Sequence, residues 1–89
     1  MHILVVEDEK KVAGLIRAGL LEQGWAVSLC HDGDEALITA TEKAFDAIVL
    51  DVMIPGRDGL SILRNLRAAH HTVPVILLTA RGDVSERVE

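Results

Sequence analysis

At 89 residues the chain can hold one hydrophobic core and is short for two. Its 49% hydrophobic and 26% charged residues exclude a disordered chain, and with Trp25 and Phe45 as its only aromatic residues the core must be aliphatic, which suits parallel strands covered by helices. A net charge of −5 disfavours a nucleic-acid surface, the single Cys30 can form no internal disulfide, and no apolar run nears the ~20 residues of a membrane span. With no charged-then-apolar leader before the first strand, the expected home is the reducing cytoplasm, with no membrane contact.

Ile3-Leu4-Val5-Val6 is a continuous apolar run that opens onto Glu7-Asp8-Glu9, the pattern of a buried strand ending in an acidic loop. From Lys10 to about Gln23, Val12, Leu15, Ile16, Gly19 and Leu20 recur at helical spacing. Gly24 stands where a left-handed residue would end that helix, and Ala26 to Cys30 reads as a second strand closed by Asp32-Gly33. Asp34 to Lys43 predicts a helix with Ala36, Leu37 and Ala40 on one face. Ala47 to Leu50 follows as a buried strand with Asp51 at its end. Pro55-Gly56 marks a turn, and Asp58 is placed to cap a helix running through Leu60, Leu63 and Leu66. Val75 to Leu78 is the fourth strand. Thr79 to Asp83 reads as a loop, and Val84 to Glu89 as the first turns of a helix.

Strand and helix alternate with short connections, which defines a doubly wound α/β fold built on a parallel sheet. Ligands gather outside the carboxyl ends of such strands. Those ends carry Glu7 and Asp8, then Asp51, then Thr79. Converging carboxylates raise one another's pKa or repel unless a hard cation sits among them. Mg2+ is the natural occupant, with the Met53 carbonyl able to add an oxygen ligand. A hydroxyl opposite such a cluster suits phosphoryl transfer, with Asp51 as nucleophile and with the Thr79 hydroxyl and the Ala80 backbone N–H binding the phosphoryl group.

Leu4-Val5-Val6-Glu7-Asp8 resembles the acidic signature of two-component receiver domains. The segment from Ile48 to Gly59, with Pro55 four and Gly59 eight residues after Asp51, resembles their phosphoacceptor motif, and Leu77-Leu78-Thr79-Ala80-Arg81 resembles their switch strand and loop. The resemblance runs over the whole chain. It implies the receiver strand order 2-1-3-4, Mg2+ as cofactor, a sensor histidine kinase as phosphodonor, and Thr79 as a switch residue. The wording of the motifs is most similar to regulators with a winged-helix output domain, the OmpR/PhoB type, so DNA would be reached only through a domain not present here. Against that pattern, residues 1–89 form a partial receiver, without the rest of the fourth helix, the fifth strand and the fifth helix. The lysine that pairs with the phosphoryl group goes with them, and the fourth strand is left as an edge that favours self-association.

Other readings are weaker on particular residues. A haloacid-dehalogenase-like phosphatase needs a second acid two residues after its aspartate, where Met53 stands. A flavodoxin-like nucleotide binder needs a Ser-, Thr- and Gly-rich loop where Glu7-Asp8-Glu9 would repel phosphate. A pseudo-receiver, keeping the fold as an interaction module alone, is the remaining alternative. Pro55 and Gly59 are expected to support the loop, Cys30 to be a small buried hydrophobe, and His70-His71 to be a solvated helix end. Trp25 falls at the end of the sheet away from the acids.

Overall fold

The computed structural model describes residues 1–78. Four parallel strands lie in the order β2-β1-β3-β4, with β1 (His2–Val6) and β3 (Ala47–Asp51) flanked by β2 (Ala26–Cys30) and β4 (Val75–Leu78). Helices α1 (Lys10–Glu22), α2 (Gly33–Glu42) and α3 (Gly59–Ala68) make the connections. The chain moves one way from β1 to β2 and the other way from β2 across β1 to β3. Right-handed crossovers therefore put α1 on one face of the sheet and α2 and α3 on the other. This is the expected doubly wound architecture and strand order.

The two central strands explain where the site lies. Ile3 to Val6 pairs in register with Ala47 to Leu50, and Ile48 to Asp51 pairs with Val75 to Leu78. On one face the alternating Leu4, Val6, Ile48, Leu50, Val75 and Leu77 meet Ala36 and Ala40 of α2 and Ile62, Leu63 and Leu66 of α3. The alanines bring α2 close to the sheet. Ile3 and Val5, on the opposite face, are equally buried on the side that α1 covers. Ile54 leaves the loop after β3 to join the α2/α3 core, which anchors that loop from within.

Three details differ from the sequence reading. In α1 the inward stripe is Val12, Ala13, Ile16 and Leu20, while Leu15 is 68% exposed and Gly19 lies in solvent. At 100° per residue the four inward positions span a narrow arc, and Leu15 falls well outside it. In α3, Ile62 takes the place given to Leu60, which stays on the surface. Asp32 does more than close β2: it is the N-cap of α2, its carboxylate accepting from the N–H groups of Asp34 and Glu35, so the helix begins at Gly33.

The other end signals hold. Gly24 adopts φ +80° after α1, and the Asp58 carboxylate accepts from the Ser61 N–H at 2.8 Å. Cys30 is buried, its thiol 3.6 Å from the Thr39 hydroxyl, and burial pushes that thiol's pKa up. It acts as a small apolar core residue. Among the described residues no helix is long and apolar enough to cross a membrane. The expected loop from Thr79 and helix from Val84 lie outside the described residues.

Among the described residues His70 is the one non-glycine residue with a positive φ. It has φ +64° and follows the C-cap Ala69, with its own N–H bonded to the Arg67 carbonyl and the His71 N–H bonded to that of Leu66. That is a Schellman ending with a side chain where glycine is favoured. Replacing His70 with Gly removes a left-handed penalty of about 1–2 kcal/mol against a smaller gain in unfolded-chain entropy. His70→Gly is expected to raise stability by about 0.5–1 kcal/mol in urea denaturation, with no change in slope.

Candidate functional site

The register that pairs Val6 with Leu50 carries one residue further, bringing Glu7 beside Asp51 where the two central strands leave the sheet. Glu7 and Asp51 are the buried acids of the described residues, at 7% and 6% exposure. Asp8, next in the chain, is exposed. Carboxylate oxygens of Glu7, Asp8 and Asp51 lie within 4.8 Å of one another. The structure thus brings together the three acids picked out in the sequence.

Local backbone groups fix this arrangement. The Met53 N–H donates to Asp51 Oδ1 at 3.0 Å, and the Glu9 N–H donates to Glu7 Oε2 at 3.3 Å. The Val52 N–H donates to the Leu78 carbonyl, so the chain after Asp51 stays tied to β4. Gly59 packs against the same stretch: a Cβ there would sit 2.6 Å from the Asp51 carbonyl oxygen, and the Gly59 N–H donates to the Val52 carbonyl at 2.9 Å. Only a glycine permits so close an approach. Met53 itself is 67% exposed, and with Asp8, Pro55, Leu60 and Arg64 it lines a groove of about 710 Å³ beside the acids. Thr79 and Ala80 lie outside the described residues.

Burial pushes the Glu7 carboxyl up to about 7. Its hydrogen bonds to the Asp51 and Asp8 side chains act the same way, as does the Asp51 charge, while the bond from the Glu9 backbone pulls it down. Among the described residues no Lys, Arg or His forms an ion pair with any of the three acids. Compensation by a side-chain cation is therefore missing from the described set, and three oxygen donors within one small volume suit a hard divalent ion. The donor set fits Mg2+.

Nothing in the local sequence singles out the turn between β2 and α2, yet it touches both site loops. His31 Nδ1 lies 2.8 Å from the Glu7 carbonyl oxygen, and the Gly33 N–H donates to the Pro55 carbonyl at 2.8 Å. Asp32-Gly33 carried a turn signal, which is all that local chemistry could reveal.

Comparison with known proteins agrees with this geometry. Residues 3–89 match the response regulator receiver domain family, and the chain belongs to that family. It is 48% identical, over its whole length, to the transcriptional activator protein IrlR of Burkholderia pseudomallei, of which it spans 38%. The receiver domain of the Francisella response regulator 1452 superposes with a TM-score of 0.87 at 38% identity, covering 92% of this chain and 68% of that one. The response regulator TrrA of Thermotoga maritima, solved in complex with Mg2+ and BeF, gives a TM-score of 0.85 at 33% identity, over 91% of this chain and 70% of that one. The chain is thus a response-regulator receiver, and receivers bind Mg2+ at an acidic site of this kind.

The raised Glu7 pKa has a definite sign in stability. A carboxyl near 4.5 when unfolded and near 7 when folded favours the folded state below pH 4.5 and progressively loses that contribution as pH rises to about 7. Metal-free protein is therefore expected to lose stability across pH 4.5–7 in denaturant titrations, and Glu7→Gln to flatten that slope. Saturating Mg2+, which binds the ionised carboxylates, should restore stability most at the upper end of the window.

Proposed function

We propose that this chain is the phosphoacceptor portion of a two-component response regulator, in which Asp51 receives the phosphoryl group from the phosphohistidine of a sensor histidine kinase. What carries the reading is the convergence of Glu7 and Asp8 on a buried Asp51 at the carboxyl end of a central strand. Mg2+ would be held by the carboxylates of Glu7, Asp8 and Asp51 and by the Met53 carbonyl, and when bound it would offset the charge of the acids and of the incoming phosphoryl oxygens.

The work of the chain's own residues is positioning. An oxygen of the Asp51 carboxylate bonds to phosphorus as the phosphorus–nitrogen bond of the donor breaks, and the imidazole leaves. The Met53 N–H, bonded to Asp51 Oδ1, fixes one oxygen of the carboxylate that would attack. Thr79, through its hydroxyl, and Ala80, through its N–H, would bind the phosphoryl group and report its arrival to the surface. The domain accepts a group rather than turning over an external substrate, as receivers of transcriptional regulators generally do.

The relatives extend well past the matched region and carry names of transcriptional regulators. The whole protein is read as a cytoplasmic transcriptional regulator that meets DNA through a separate output domain. Incubation with acetyl phosphate and Mg2+ should add the mass of one phosphoryl group, labile to hydroxylamine, and Asp51→Asn should abolish it. Unchanged phosphorylation of Asp51→Asn would refute the assignment. Protein that binds Mg2+ at these acids yet takes no phosphoryl group, in a form carrying the full receiver, would favour the pseudo-receiver reading.

A further inference from the structure

The acids of the site stand where two strands give way to loops, and the β-sheet fixes only where those loops begin. Glu7 and Asp8 belong to the loop after β1, and Asp51 is the last residue of β3, from which the second loop leaves. A third stretch, from Cys30 at the end of β2 through His31 and Asp32 to Gly33 and Asp34 at the start of α2, supplies no ligand but bonds to both. On one side the Glu7 N–H donates to the Cys30 carbonyl at 3.0 Å, and His31 Nδ1 lies 2.8 Å from the Glu7 carbonyl oxygen. A carbonyl can only accept, so Nδ1 carries the proton in this bond.

On the other side the contacts are closer still. The Gly33 N–H donates to the Pro55 carbonyl at 2.8 Å, and a Cβ on Gly33 would fall 1.9 Å from the Arg57 carbonyl oxygen and 2.6 Å from its nitrogen. Any side chain at 33 must push the loop after β3 away. Gly56 has φ +85° and lies against the Asp32 carboxylate, whose Oδ2 would be 2.8 Å from a Cβ there. The Arg57 guanidinium reaches Asp34 Oδ1 at 3.2 Å, an exposed pair that adds direction more than stability.

We propose that the β2–α2 turn sets the separation of the two ligand-bearing loops, with His31 and Gly33 as positioning residues for cation binding and phosphoryl transfer at Asp51. The inference rests on the reading of the acids as an Mg2+ and phosphoacceptor site. Its physical basis is the narrow tolerance of that ion, which requires near-octahedral oxygens at about 2.0–2.1 Å, so a loop displaced by a few tenths of an ångström loses ligands. Groups that orient metal ligands at one remove are typically worth ~10–100-fold in affinity.

The test is Mg2+ titration by calorimetry on wild type, His31→Phe, His31→Asn and Gly33→Ala, each with its metal-free denaturation curve. Asparagine places an N–H close to the position of Nδ1; phenylalanine keeps the ring and loses the donor. His31→Phe and Gly33→Ala are expected to weaken Mg2+ binding by about ten-fold or more, and His31→Asn to stay within about three-fold of wild type. The acetyl phosphate reaction at subsaturating Mg2+ should slow in the same order. Folded His31→Phe that binds Mg2+ like wild type would overturn the proposal, as would equal weakening in His31→Asn and His31→Phe, which would mark a packing effect. Should Gly33→Ala fail to fold, the two His31 variants decide the outcome. Failure of the underlying reading is distinguished by wild type itself, which would then bind no Mg2+ that Asp8→Asn removes.

Discussion

Two carboxylates that the fold places side by side, out of water, are the constraint on which the rest of this molecule depends. The in-phase pairing of β1 with β3 brings Glu7 beside Asp51 where the two strands leave the sheet. Burial, with the Asp51 charge acting the same way, pushes the Glu7 carboxyl up to about 7 and makes ionising it a cost to the metal-free folded state. A divalent cation bound among the three acids would remove that cost. The same electrostatic tension that destabilises the metal-free fold would then be the source of affinity for the ion, and the ion would in turn make a dianionic phosphoryl group tolerable beside an aspartate.

The remainder of the fold can be understood as the support for this junction. Aliphatic layers of Leu4, Val6, Ile48 and Leu50 hold the central strands, and Ile54 plugs the loop after Asp51 into the same core. Gly59 lets the start of α3 rest on the Asp51 backbone, while Gly33 lets the start of α2 rest on that of Arg57. The loop between Asp51 and Gly59 is held from two directions by helix starts that only glycine allows to approach so closely. Rigid loops at strand ends are what a site with demanding ligand geometry needs.

Much of this was legible in the sequence because it rests on local patterns. Apolar runs of four residues marked β1, β3 and β4, the acids after β1 and β3 marked the site edge, and Gly24 and Asp58 marked helix ends by their own backbone chemistry. Periodicity was less reliable where a helix has apolar residues beyond its buried arc, as with Leu15 and Leu60, whose side chains face outward. The role of the β2–α2 turn was not legible, since His31 and Gly33 act on residues 24 positions away and are defined only once the crossover has been made. The sequence marks His70 as a solvated helix end, but its left-handed backbone is set by the hydrogen bonds of the helix ending and is not announced by its residue type.

The central claim, that Glu7, Asp8 and Asp51 form one cation site, is tested most directly by paramagnetic Mn2+ in amide-resolved NMR of the protein. Substoichiometric Mn2+ should broaden the amides of Glu7 to Glu9 and of Asp51 to Met53 first, and excess Mg2+ or Asp8→Asn should reverse it. Broadening centred instead on another acidic stretch, Asp32 and Asp34, with the Asp51 amide unaffected, would contradict that claim.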